Sequence, residues 1–216
     1  MHEKPILEPS LGLEVSIGCL YERKEYYQTM ERILGDTAQW RLAAIDKQAK
    51  KLPANKEKYF REFYHPLRWL FSFPSELKSS VVISGISFLE SVLVNLASDG
   101  EYYTNQPFDK PKEKILSSCR RYLNNQGNLN IPADEDWNVI NNIYLLRNVL
   151  VHNGLNLGGD ITEYSHEIEE IRKIVPGIEK DEDGFYFIDK MFCEKMFDSM
   201  ESFLKNLKVK VTEKWE

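Results

Sequence analysis

Residues 81–97 read VVISGISFLESVLVNLA, with apolar side chains on nearly every side of a helix and one ionisable group, Glu90, near the middle. The run is close to the shortest that spans a bilayer, about 17 residues. Glu90, with Ser84, Ser87, Ser91 and Asn95 around it, makes hydrocarbon a costly setting, so a buried core helix accounts for the run better than a membrane span. A helix that is apolar all round needs neighbours all round. The rest of the chain has to supply them, and its patterning is that of helices.

Residues 22–51 place Tyr26, Met30, Ile33, Trp40 and Ala44 at helical intervals, and Pro53 closes the segment. A second stretch starts near Lys56 with Tyr59, Phe60, Phe63, Leu67 and Leu70 on one side, and its Pro66 kinks a helix or starts a new one. Phe73-Pro74-Ser75 reads as a boundary, because the Ser75 hydroxyl can cap a long helix reaching Ala97. A loop with Gly100, Pro107 and Pro111 leads to a shorter helix over 112–123, followed by more loop over 124–132. Asp134 caps the next helix, where Trp137, Ile140, Tyr144 and Val151 form one stripe and Val139, Ile143, Leu146 and Leu150 another. Two stripes ask for two partners: the protein's own core, and either a second subunit or further elements of the same chain. Asn153-Gly154 stops this helix.

Asp160-Ile161-Thr162-Glu163 has the form of a capping box, residues 175–188 that of a hairpin turning at 181–184, and a last helix covers 190–208. The expected fold is an all-α, mainly helical bundle with a small β-hairpin near the C-terminus. Its expected divisions are an N-terminal tail and helical extension (1–74), a helical core (75–209) and a C-terminal tail (210–216).

At 216 residues the chain has room for one sizeable core rather than two independent domains. The polar start, Met1 to Pro5, is not followed by a signal-like apolar stretch, so a cytoplasmic location is expected. Cys19, Cys119 and Cys193 are too far apart and too few for a zinc or disulfide framework and read as reduced thiols. A net charge of −6 argues against coating nucleic acid through a general positive field. It leaves room for a local site: basic residues gather between 41 and 68 and at Lys110, Lys112, Lys114, Arg120 and Arg121, while acids concentrate after Asp160. Lys112, Lys114, Arg120 and Arg121 are candidate RNA contacts, set against the plainer reading of a solvated face. Tyr102 and Tyr103 can stack on unpaired bases or pack on the protein. His2, His65 and His166 have no companion nucleophile or metal ligand at useful spacing.

The segment Arg147-Asn148-Val149-Leu150-Val151-His152 puts two charged or titratable groups at the end of an otherwise apolar helix. Arginine offers a fixed fork of donors for a phosphate, and histidine is the side chain whose unperturbed pKa suits proton transfer near neutrality. Five residues on a regular helix rotate one side chain about 140° from the other. The pair can meet on one phosphodiester if the helix loosens near Asn153-Gly154, if the arginine curls round, or if a second subunit completes the site. Asn148 and His152, four apart, share a face. The structural alternative is an arginine paired with Glu90 and a histidine that caps the helix, with no chemistry.

Arg147, Asn148 and His152 resemble in type and spacing the defining motif of the HEPN superfamily, an arginine and a polar residue preceding a histidine by four to six positions. Residues 87–95, with Glu90 among apolar neighbours, resemble the family's early core helix, and the resemblance covers about 75–207. It implies a homodimer whose motifs face each other across a cleft, and an endoribonuclease that needs neither metal nor cofactor. His152 is then the general acid or base, Arg147 the phosphate ligand, Asn148 an orienting group and Glu90 a support for Arg147. The tyrosine that some family toxins carry two residues after the histidine is here Gly154, which speaks against control by adenylylation at that position. The resemblance also suggests a toxin–antitoxin or phage-defence setting, with an antitoxin or regulatory protein as a further partner. A catalytically idle nucleotide- or RNA-binding module and a protein-interaction scaffold are the competing expectations.

Overall fold

The computed structural model describes residues 5, 7–49, 56–153, 157, 162–182 and 184–216, with side chains for all of these except 46, 48, 49, 56–72 and 162. Two long helices lead: α1, Pro9–Ala49, and α2, Lys56–Thr104. They are followed by α3, Ile115–Asn125; α4, Glu135–His152; a 3₁₀ turn, Thr162–Tyr164; α5, Ser165–Ile174; and α6, Lys190–Trp215. Between α5 and α6 lies one antiparallel hairpin, β1 Ile178–Lys180 with β2 Tyr186–Ile188, where Ile178 faces Ile188. The fold is all-α with a small hairpin.

The segment 81–97 lies inside α2 and is the centre of the core. Val82, Ile86, Leu89 and Leu93 are buried completely, and α1, α3, α4 and α6 all pack against this helix. The longer apolar stretch Phe73–Thr104 passes the length and composition test for a membrane span, yet half of its most apolar window is buried within the molecule. Its apolar sides are thus matched by helices, as a core helix requires.

The α1 helix runs antiparallel to both of its neighbours. Glu31 pairs with Lys78 of α2 at 3.1 Å, and Arg23 lies over the Phe88 ring. Along α6, Ser10 bonds Glu216, Glu14 pairs with Lys208, Tyr21 bonds Glu201, and Lys24 pairs with Asp198. Leu13, Ile17, Leu20 and Tyr27 sit behind this ladder in the same core as α2. Proline at the first helical position, Pro9, suits the start of α1, because that residue has no use for an N–H.

Several boundaries differ from the sequence expectation, beginning with α1, which starts at Pro9, well ahead of the pattern read from residue 22. Phe73-Pro74-Ser75 does not end a helix: α2 continues through it, and Leu13, Ile17, Leu20 and Tyr27 of α1 lie in the same core as residues 82–97. A proline in a helix interior costs about 3 kcal/mol. Here the apolar half that follows is buried, and the Lys78–Glu31 contact just beyond holds α2 against α1. Gly100 likewise lies inside α2, where a Cβ would meet the Trp215 ring at 3.0 Å.

A further difference is at the C-terminus, where α6 continues through Trp215 rather than giving way to a tail at 210. Val211 is buried, Trp215 stacks on Tyr103 at 5.4 Å, and its Nε1 donates to the Gly127 carbonyl at 3.0 Å. The cap read at Asp134 is present, its side chain accepting from the Trp137 amide at 3.0 Å, and Asp189 caps α6 in the same way, accepting from the Phe192 amide at 3.0 Å. The helix start expected at 160–163 is the 3₁₀ turn, and Asp160 and Ile161 fall outside the described residues. Deleting 210–216, harmless for a true tail, should lower stability by about 2–4 kcal/mol, the scale of removing large buried side chains. The urea unfolding midpoint of the shortened chain checks this.

Candidate functional site

The α4 helix delivers the two expected groups to opposite faces. It remains regular through His152, and the Asn153 amide still donates to the Val149 carbonyl at 3.0 Å. Asn153 ends the helix with φ −101° and ψ 22°, outside the left-handed region, and Gly154 is outside the described residues. The loosened helix end is therefore not what brings Arg147 and His152 together. On a regular helix they diverge by about 140°. Arg147 lies half-buried at the seam with α2, whereas His152 is exposed.

Glu90 does meet Arg147. Its Oε2 lies 3.7 Å from Arg147 Nη2, with the Glu90 side chain 10% exposed and that of Arg147 25%. At that separation the contact is an ion pair rather than a hydrogen bond. Asn148 adds a true hydrogen bond, its Oδ1 accepting from Arg147 Nη1 at 3.0 Å. Asn148 thus engages the arginine beside it. Arg147 Nε is buried with no hydrogen-bond partner among the described groups.

Burial pushes the Glu90 carboxyl above the usual glutamate range, and the nearby Arg147 guanidinium offsets this only in part. The Cys119 thiol is pushed up to about 11 by burial, with Glu90 adding to the effect, so it is a core thiol rather than a nucleophile. On the open side of the seam, Leu145 and Val151 are exposed and Tyr144 is half-buried. Tyr144 and Val151 belong to one of the two stripes read from the sequence, Leu145 to neither, and Tyr144 packs against the core. No three His, Cys, Asp or Glu side chains gather in metal-binding geometry among the described residues.

The four basic candidates separate. Lys112, Lys114 and Arg121 are exposed, and Arg121 lines a groove of about 450 Å³ with Phe108, Lys110 and Gln126. Arg120 instead points inward: Nη2 donates to the Ile131 carbonyl at 2.9 Å, and the guanidinium lies 4.8 Å from the Trp137 ring centroid. It ties the loop after α3 to the start of α4 and so differs from the three exposed basic residues. Tyr103 is engaged by Trp215, leaving Tyr102 as the exposed tyrosine of the pair. The His166 side chain is exposed on α5, and the side chains of His2 and His65 lie outside the description. No protein-family model matches the chain, and no curated protein or solved structure does.

Two measurements follow from this geometry. An acid whose folded pKa lies above its unfolded value contributes stability that is fully present below the unfolded value and lost as pH rises through the folded one. The stability advantage of wild type over Glu90→Gln should therefore shrink as pH is raised from 4 to 8, read from urea midpoints at each pH. Arg120→Ala should cost about 1–3 kcal/mol of stability, the scale of a hydrogen bond from a charged group, although the Ile131 carbonyl keeps its bond from Asn124. Arg121→Ala should leave the unfolding midpoint unchanged.

Proposed function

We propose that the chain is a metal-independent endoribonuclease of HEPN type, active as a homodimer. The observation that carries this reading is an arginine anchored by Glu90 and Asn148 at the mouth of the α2–α4 seam, with an exposed imidazole five residues further along the same helix. Each catalytic pair is formed by Arg147 of one copy and His152 of the other, since a single regular helix cannot aim both at one phosphate.

In the reaction, His152 as the neutral imidazole accepts the proton of the ribose 2′-hydroxyl as that oxygen attacks phosphorus. The new O2′–P bond forms while the P–O5′ bond breaks, leaving a 2′,3′-cyclic phosphate and a 5′-hydroxyl. A protonated imidazole or water supplies the proton to the leaving oxygen. Arg147 donates to the non-bridging oxygens, where negative charge grows in the transition state. Glu90 and Asn148 keep the guanidinium fork oriented and do not touch the substrate. Lys112, Lys114 and Arg121 supply phosphate contacts along the RNA, contacts that weaken steeply with salt. An enzyme of this kind fits a toxin–antitoxin or phage-defence role, with an antitoxin or regulatory protein restraining it.

The engagement of Arg147 by two protein groups also suits a catalytically idle binding module, and one assay separates the two. Single-stranded RNA incubated with the purified protein in EDTA should be cut to products with cyclic phosphate ends. His152→Ala and Arg147→Ala should each slow cleavage by about 10² to 10⁴. Undiminished cleavage by His152→Ala defeats the nuclease reading, and binding by wild type without turnover assigns the idle module instead.

A further inference from the structure

The net charge of the chain resides in one stretch. Residues 162–194, which cover the 3₁₀ turn, α5, the hairpin and the first turn of α6, hold ten acidic and four basic residues. Their formal −6 equals that of the whole chain, so the remaining residues balance to zero. The four bases are all engaged inside the stretch: Arg172 and Lys180 with Glu169, Lys173 with Glu170, and Lys190 with Glu194. Glu179, Asp181 and Glu182 stay exposed, and no cation pairs with them among the described residues.

Large apolar side chains stand exposed in the same place. Phe185 is 44% exposed and Phe187 41%, while Ile174 at the end of α5 and Met191 in the first turn of α6 are also open to solvent. The hairpin accounts for the two rings. Successive residues of a strand point to opposite faces. Ile178, Tyr186 and Ile188 point inward and join the core, which turns Phe187 outward together with its cross-strand partner Glu179. Phe185 and Asp181 continue the outer face at the turn, where the Asp181 amide donates to the Phe185 carbonyl at 2.9 Å. The result is two phenylalanines side by side with carboxylates.

This face is rigid before any partner arrives. Gly184, with φ 89°, closes the turn by donating its amide to the Asp181 carbonyl at 3.1 Å. The Tyr186 hydroxyl donates to Glu169 at 2.7 Å, and Arg172 Nε donates to the Ile178 carbonyl at 2.8 Å, so both strands are fastened to α5. Binding to a surface held in this way loses little in ordering it.

Single exposed apolar residues are ordinary on a protein surface. Paired aromatic rings on a fixed element, bordered by polar groups, have instead the composition of a contact surface. The charge decides the class of partner. Nucleic acid and anionic lipid are both repelled by a stretch that is this acidic. A cationic polypeptide answers both halves of the surface, with apolar side chains over the rings and lysine or arginine on the carboxylates.

We infer that the outer face of the hairpin docks a segment of a different protein in which lysine or arginine is interspersed with apolar residues. Phe185 and Phe187 are the anchors, and Glu179, Asp181 and Glu182 form the charged rim. The inference uses no residue of the α2–α4 seam and stands whether or not the chain cleaves RNA. A face this small belongs with the transient interfaces, those below about 1,200 Å², and the expected Kd is micromolar.

A dye-labelled short peptide alternating arginine with leucine, titrated with the full chain and read by fluorescence anisotropy, tests the chemistry. It should bind at least about tenfold more tightly than peptides alternating arginine with serine or glutamate with leucine. Replacing both rings, Phe185→Ser with Phe187→Ser, should weaken it about tenfold or more. The pair Glu179→Lys and Glu182→Lys should do the same and flatten the salt dependence. Glu22→Lys with Glu25→Lys changes the net charge equally on exposed positions of α1 and should leave binding intact. All six positions are exposed, and an unchanged thermal unfolding midpoint confirms that each variant folds. Binding indifferent to the hairpin variants, or lost equally with the α1 pair, overturns the inference. The natural occupant is read by placing photoreactive benzoylphenylalanine at position 187 and irradiating the cells that produce the protein. A link to a basic, apolar segment of another protein supports the inference, whereas a link to RNA, lipid or a second copy of this chain, or no link, overturns it.

Discussion

Everything in this molecule follows from enclosing one helix that is apolar on almost every side. The central stretch of α2 has no face it can leave to water except a narrow row of serines, so four other helices are drawn against it. That demand explains why α1 and α6 run the full length of the bundle, and why the last turn of α6 is held down by Trp215 instead of fraying. It also explains why a proline in α2 is tolerated, since the helix is stabilised by what packs on it rather than by its own propensity. Glu90 is the one ionisable group placed in this setting, and an uncompensated charge there is costly. Arg147 is the compensation, and its position in α4 follows from the position of Glu90 in α2.

The sequence showed the elements better than their ends. Asp134 marks a helix start by a local mechanism, a carboxylate accepting an amide three residues on, and such a signal needs no knowledge of the fold. Pro74 and Gly100 read as boundaries because their penalties are local, whereas the burial that overrides them comes from residues distant in sequence. Trp215 was invisible for the same reason, since the Tyr103 ring and the Gly127 carbonyl that hold it lie about ninety residues or more away in the chain. Arg120 could not be told from Arg121 by composition. Only the loop folding back to Ile131 distinguishes an arginine that ties two elements from one that faces water.

The candidate site was legible as a set of residues but not as a geometry. The contact between Glu90 and Arg147 follows from the need to neutralise a buried carboxylate, and the divergence of Arg147 from His152 follows from helix rotation alone. Apolar periodicity has a corresponding blind spot. It reports that a face is apolar and says nothing of what covers it, so Tyr26, Ile33 and Trp40 read as core until the neighbouring helices are in place. Their exposure and the divergence of Arg147 from His152 are separate observations, and neither could be read from periodicity alone.

Arg147 is fit for two roles because its anchoring is partial. A guanidinium has five N–H donors, and here one is taken by Asn148 while Glu90 stands too far for a hydrogen bond. Burial that favours the protonated form of Glu90 loosens the ion pair further. Arg120, by comparison, places Nη2 on the Ile131 carbonyl, while its Nε, like that of Arg147, has no partner among the described residues. Arg147 instead keeps part of its fork unspent and a quarter of its side chain exposed, and a phosphate is the kind of ligand that planar fork is shaped to hold.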